Sequence, residues 1–129
     1  MMNNDQLRLA KEQIKNIIEP DASATARIRE LNDQLRVTGR GGVIVMTYGI
    51  AGLGGSLVAT IFKAVSEFNQ FSEDNDPWGE HDCALLTVEG VKVLWKIDYY
   101  DRQRRFHSSN PADPKVTVRV MTVMRADEY

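Results

Sequence analysis

The sequence predicts a single α+β domain, in which two N-terminal helices precede a strand, a helix, a β-hairpin and a last strand that form a mainly antiparallel sheet packed against helices. Apolar residues recur at helical spacing in three segments, β-branched residues dominate the segments between them, and a Glu-Gly turn joins two of the β segments. With 129 residues, the chain is long enough to bury a core as one domain. We assign 1–129 to that domain, with 1–20 as a helical N-terminal extension and 23–129 as the core.

The three predicted helices span residues 5–18, 23–39 and about 56–70. Pro20 follows the first helix, and Gly39 ends the second. Their apolar stripes consist of Leu7, Ala10, Ile14, Ile17 and Ile18 in the first, Ala24, Ile28, Leu31 and Leu35 in the second, and Val58, Ile61, Phe62, Val65 and Phe68 in the third.

The predicted strands span residues 43–48, 83–88, 91–100 and 116–124. If Glu89-Gly90 is a two-residue turn, hairpin partners are residues whose numbers sum to 179, and Val88 faces Val91. This register sorts apolar and polar side chains between the two faces better than a slip by one residue does. Extended beyond residue 83, it predicts that His81 lies opposite Asp98.

Composition excludes several classes of protein. The net charge of −2 disfavours nucleic acid as a partner, and no apolar run reaches the roughly 20 residues that a membrane-spanning helix needs. The single cysteine, Cys83, cannot form an internal disulfide, and its apolar strand neighbours indicate a packing role. The charged N-terminal residues do not resemble a signal peptide. We therefore predict a cytoplasmic protein.

The densest polar stretch, residues 73–82, is here called the acidic segment, and it allows two interpretations. Its oxygen ligands and imidazole suit a divalent cation, with candidate metal ligands Asp74, Asp76, Glu80, His81 and Asp82. A carboxylate beside an imidazole also suits general base catalysis, for which the candidates are His81, Asp98, Glu80 and Tyr100. In the other interpretation these are turn-forming and solvated residues that only stabilise a loop. No cofactor is predicted apart from that possible divalent metal.

Two further segments give weaker signals. Arg102, Arg104 and Arg105, beside aromatic residues, suggest a small patch for phosphate or nucleic acid, although a solvated loop is the ordinary interpretation in an acidic chain. The glycines of residues 49–55 precede a helix but match no phosphate-binding motif, so we interpret them as a compact turn.

Five stretches of the sequence can be compared together: residues 29–33, 38–42, 73–82, 95–101 and 110–129. They resemble a bacterial family catalogued as domain of unknown function 3768, with coverage from about Ile28 to the C-terminus. The resemblance implies a small cytoplasmic protein, often carried on plasmids or other mobile DNA, with no assigned activity. The glycine-rich stretch departs from the family pattern, and the first helix lies outside the resemblance.

Two functions follow as hypotheses. The first is a non-enzymatic accessory protein that binds another protein, as an inhibitor or regulator encoded on mobile DNA. The second is a small metal-dependent enzyme, similar to a hydrolase, centred on the acidic segment with Asp98 as a supporting partner. A homo-oligomer is compatible with the sequence, whereas a membrane partner is not expected.

Overall fold

The computed structural model describes residues 3–10 and 22–129 of the chain. Residues 4–10 are helical, with Asn3 and Gln6 capping each other's backbone amides. The elements that follow are α1 (Ala22–Thr38), β1 (Val43–Met46), α2 (Tyr48–Ala51), α3 (Gly55–Glu67), β2 (Cys83–Val88), β3 (Val91–Tyr100), β4 (Val118–Arg125) and a 3₁₀ turn (Ala126–Glu128).

The four strands form one mixed sheet in the order β1-β4-β3-β2. β1 runs parallel to β4, whereas β2 with β3 and β3 with β4 are antiparallel. The predicted fold class, a mainly antiparallel sheet packed against helices in a single α+β domain, is confirmed.

The predicted hairpin register is confirmed along the whole of β2. Val88 pairs with Val91, and the ladder continues to Cys83 opposite Lys96. Both turn residues have positive φ, 47° at Glu89 and 79° at Gly90, which is the type I′ geometry that matches the twist of a two-residue hairpin.

The core lies between one face of the sheet and the helices α1 and α3. Trp95 of β3 is fully buried there, and so are Leu35 of α1 and Ile61 of α3. The alternation predicted for β3 is correct, because Trp95, Ile97 and Tyr99 are buried while the intervening residues are partly exposed. The last strand is confirmed as a strand. In this strand Arg119 is buried, whereas its neighbours Val118 and Val120 are only partly buried.

The structure differs from the predicted boundaries by two or three residues in three places, one of which is the start of the last strand at Val118 rather than at residue 116. The first strand ends at Met46 rather than at residue 48, because the carbonyl of Thr47 accepts the amides of Ile50 and Ala51 and starts the short helix α2. The third helix ends at Glu67 because Phe68 is extended. The predicted first helix extends to residue 18, but its positions after Ala10 lie outside the described residues.

Within the described ranges no helix is both long enough and apolar enough to cross a membrane.

The close approach of Gly42 to β4 generates a prediction. A Cβ at Gly42 would lie 2.5 Å from the carbonyl oxygen of Arg119 and 2.9 Å from Leu35 Cδ2. We expect Gly42→Ala to lower the free energy of unfolding by about 2 kcal/mol, measured by urea titration, because backbone and core atoms must shift. Gly55→Ala is the control, since a Cβ there meets nothing within 4 Å. Equal stability of the two variants would contradict the packing argument.

Candidate functional site

The acidic segment is fastened to α1 by hydrogen bonds to its own backbone. Arg29 Nη1 donates to the carbonyl of Gly79 at 2.9 Å, and Asn32 Nδ2 donates to the carbonyl of Glu80 at 3.0 Å. The amide of His81 donates to the buried carboxylate of Asp76 at 3.2 Å. These contacts hold residues 76–81 in one conformation against the helix.

Asn32 is the centre of a buried polar network that joins four parts of the fold. Its side chain has no exposed surface. The amide nitrogen donates to Tyr99 Oη at 2.8 Å as well as to Glu80, and the amide oxygen accepts from Arg119 Nε at 2.8 Å. The Arg119 guanidinium also lies 5.1 Å from the centre of the Tyr99 ring, and Tyr99 Oη donates to Glu80 Oε2 at 3.2 Å. The network therefore ties α1, β3, β4 and the acidic segment together.

His81 lies between two carboxylates and against an aromatic ring. Its Nδ1 is 3.0 Å from Asp33 Oδ1, and its Nε2 is 3.7 Å from Asp76 Oδ2. Its ring stacks on Phe71 at a centroid distance of 3.7 Å. These groups shield the imidazole from solvent, and the His81 side chain is only 23% exposed.

The predicted pairing of His81 with Asp98 is wrong. The ladder ends at Cys83, and only one further backbone bond follows, from Ile97 N to Asp82 O at 2.7 Å. His81 has φ 54°, which turns the chain out of the strand and brings its ring to Asp33 on α1.

The Asp98 carboxylate pairs instead with Lys96 Nζ on the same strand. Tyr100 forms an isolated bridge with His107 at the end of β3. Thus the structure does not bring these two candidates to His81.

The remaining candidates occupy different environments. Asp74 is exposed, Asp76 is buried, and Glu80 and Asp82 are partly buried. Asn75 ties the start of the loop, since its side chain accepts from Ser72 N and donates to Gln70 O. Among the residues that the structure describes, no three His, Cys, Asp or Glu side chains converge closely enough to hold a metal ion.

Partial burial dominates the electrostatics of this region. Burial and the neighbouring carboxylate of Asp82 raise the pKa of Glu80. The hydrogen bond that Glu80 accepts from Tyr99 lowers this pKa and partly offsets the increase. Burial also raises the pKa of Asp82 and that of the Tyr99 hydroxyl, and it lowers the pKa of Arg119. The thiol of Cys83 has a raised pKa for the same reason, in agreement with its predicted packing role.

Arg36 anchors the other end of the region. Its Nη1 donates to the carbonyls of Val65, Ser66 and Phe68, which satisfies the C-terminal turn of α3, and its Nη2 pairs with Asp33 Oδ1 at 3.1 Å. Because Asp33 also contacts His81, the end of α3 and the acidic segment are connected through two side chains of α1.

One aromatic side chain of the acidic segment is left in solvent. Trp78 is 67% exposed. It borders an open groove of about 580 Å³ between the start of α1 and the loop, which Thr25, Arg29, Glu73 and Pro77 also line. We call this feature the Trp78 groove.

Sequence reasoning missed the residues that α1 and β4 contribute. The available signal was polar residues at positions expected to be buried. Asn32 and Arg36 lie within the stripe set by Ile28, Leu31 and Leu35. Arg119 lies on the same face of β4 as the buried Met121. Such residues are rarely buried without partners, so they indicate a polar network, but they do not identify the groups that complete it.

Comparison with known protein families identifies one whose model matches this chain. The model of a family described as protein of unknown function (DUF3768) matches residues 46–128. The chain belongs to this family. The resemblance seen in the sequence is confirmed, although the match begins at Met46 and not near Ile28. No curated protein and no solved structure gives a significant match to the chain.

The family description assigns no activity. The cytoplasmic location and the link to mobile DNA therefore stay predictions.

The buried network predicts a large cost for losing the Asn32 amide. Asn32→Leu keeps the side chain close to its original volume but leaves Arg119 Nε, Tyr99 Oη and the Glu80 carbonyl without this partner. We expect the free energy of unfolding to fall by at least about 3 kcal/mol in urea titrations. A loss similar to that of Glu30→Ala, at an exposed position of the same helix, would contradict the role assigned to Asn32.

The raised pKa of Glu80 predicts a pH-dependent effect. The fold disfavours the ionised carboxylate, so its penalty is absent well below pH 4.5, grows as the pH rises through the raised pKa, and is complete above it. We expect Glu80→Gln to raise the melting temperature near pH 7, with the gain shrinking toward pH 4. Glu73→Gln, at an exposed position of the same segment, is the control. A gain that grows on acidification would contradict the assigned sign.

Proposed function

We propose that this protein is a non-enzymatic accessory protein that binds another protein through the Trp78 groove and thereby inhibits or regulates it. The observation that carries the proposal is the exposure of Trp78, 67%, on a segment whose neighbouring backbone is held by inward hydrogen bonds. An exposed indole is uncommon on a free surface and is the side chain most enriched at binding hot spots.

The rigidity of the acidic segment supports this role. The carbonyl of Gly79, directly after Trp78, is bonded to Arg29, and Asp76, two residues before it, accepts the amide of His81. Gly79 adopts φ 70°, a backbone conformation that residues with a side chain rarely adopt. A side chain presented by a fixed backbone loses less conformational entropy on binding. A larger part of the free energy of its burial therefore contributes to the binding affinity.

The chemistry of the groove indicates the kind of partner. Pro77 and Trp78 give it an apolar side, and Glu73 contributes an exposed carboxylate to its lining, followed in the chain by the exposed carboxylate of Asp74. The complementary surface is an apolar pocket that accepts the indole and carries basic side chains at its rim. Specificity would come from the charges and most of the affinity from the indole.

The metal-dependent hydrolase hypothesis lacks comparable support. Several of its candidate residues are engaged by other groups, with Asp98 paired to Lys96 and Asp76 bonded to the His81 backbone. The contacts of the acidic segment are those of a stabilised loop.

The proposal predicts that Trp78→Ala weakens partner binding without unfolding the protein. We expect proteins retained from a bacterial lysate by the wild type to be lost with Trp78→Ala, as measured by quantitative mass spectrometry. With the purified partner, Kd should rise by roughly 30-fold, equivalent to about 2 kcal/mol.

Phe106→Ala is the matched control, because Phe106 is also exposed, at 72%, but lies outside the Trp78 groove. Its retained proteins should match those of the wild type. If no protein distinguishes Trp78→Ala from Phe106→Ala at equal melting temperatures, the proposed function is wrong.

A further inference from the structure

A second groove, of about 470 Å³, lies where the link from α1 to β1 meets the loop after β3 and the start of β4. Its walls combine three arginines, two glycines and a buried hydroxyl, and no acidic residue lines it. The lining residues are Gly41, Gly42, Val43, Arg102, Arg104, Pro114, Thr117, Val118 and Arg119. We call it the arginine groove.

The glycine link forms one wall by close backbone contact. Gly42 lies against the Arg119 carbonyl so tightly that a Cβ would come within 2.5 Å of it, and Gly41 adopts φ 90°. Without side chains, this link lines the groove with backbone atoms.

A second wall of the arginine groove is an ordered turn between β3 and β4. The amide of Asp101 donates to the Phe106 carbonyl at 2.8 Å, and the amide of Arg104 donates to the Asp101 carbonyl at 3.0 Å. Arg104 has φ 58°, so the chain reverses at this residue. The turn therefore fixes where Arg102 and Arg104 leave the backbone.

The arginines of the groove differ in their electrostatic surroundings, since Glu80 attracts the charge of Arg119 without forming an ion pair with it. Within the described residues, no ion pair is formed by Arg102, Arg104 or Arg119. Arg119 donates instead to neutral groups, the Asn32 amide oxygen and the Pro111 carbonyl. The ion pairs that are found involve Arg27, Arg36, His81, Lys96 and Arg125.

Burial lowers the pKa of Arg119, which means that its charge is held at a cost that a bound anion would reduce. Arg119 is also only 2% exposed. Arg102 and Arg104, by contrast, are exposed side chains of the loop, so they are the guanidinium groups that can reach a ligand in the groove.

We propose that the arginine groove binds the phosphate group of a small molecule. Guanidinium groups match phosphate oxygens with paired, charge-assisted hydrogen bonds. The volume is in the range of small-molecule sites. A net charge of −2 opposes a long polyanion such as nucleic acid, whereas a single phosphate group needs only the local charge. The site shares no lining residue with the Trp78 groove and extends beyond the proposed function.

Calorimetric titration of the full chain with sodium phosphate and with adenosine monophosphate, at constant ionic strength, tests the proposal. The variants are Arg102→Gln and Arg104→Asn, the latter because asparagine tolerates the positive φ of position 104. Arg105→Gln is the control, since Arg105 belongs to the same turn but does not line the groove. We expect each of the first two variants to weaken binding at least tenfold, with unchanged melting temperature, and the control to bind like the wild type.

Equal affinity for both probes identifies the phosphate group itself as the ligand, and tighter binding of adenosine monophosphate identifies a nucleotide. Both results support the proposal. Three results would overturn it: no binding of either probe by the wild type, an equal loss in Arg105→Gln, or affinity for single-stranded oligonucleotides that exceeds that for adenosine monophosphate and rises with their length.

Discussion

The fold depends on one buried amide. Asn32 faces the donor-only guanidinium of Arg119 on one side and the Tyr99 hydroxyl and Glu80 carbonyl on the other. A neutral amide can donate and accept at the same time, which neither a carboxylate nor a hydrocarbon of similar size can do at this position. Through this residue the helix α1, which lies outside the family match, completes the polar interior of the segment that the match covers.

The acidic segment uses several of its polar groups within the fold. Asp76 accepts the backbone amide of His81, and burial, together with repulsion between neighbouring carboxylates, raises the pKa of Glu80 and that of Asp82. The side chain of Trp78 stays exposed to solvent. A stretch whose composition suggests cation chemistry thus holds its own backbone against α1 and leaves one aromatic ring at the surface.

The features that could be predicted from the sequence are those fixed by local geometry. A two-residue turn sets the hairpin register, and alternation sets the faces of β3, because both depend only on neighbours along the strand. The position of His81 depends on a left-handed backbone conformation and on Asp33, which is distant in the chain. The inward placement of Arg119 likewise requires partners from α1, and periodicity carries no information about them.

The parallel pairing of β1 with β4 has a consequence for how the chain acquires its structure. β1 comes early in the sequence, yet its neighbour in the sheet is β4, the last of these four strands to be synthesised. Until β4 is available, the hairpin of β2 and β3 forms locally, while β1 has no edge to join and its apolar residues stay uncovered. Insertion of β4 between β1 and β3 is then a single late event that closes the sheet and places Arg119 beside Asn32. Nascent chains that stop short of β4 expose the unpaired edges of β1 and β3, and such edges favour aggregation.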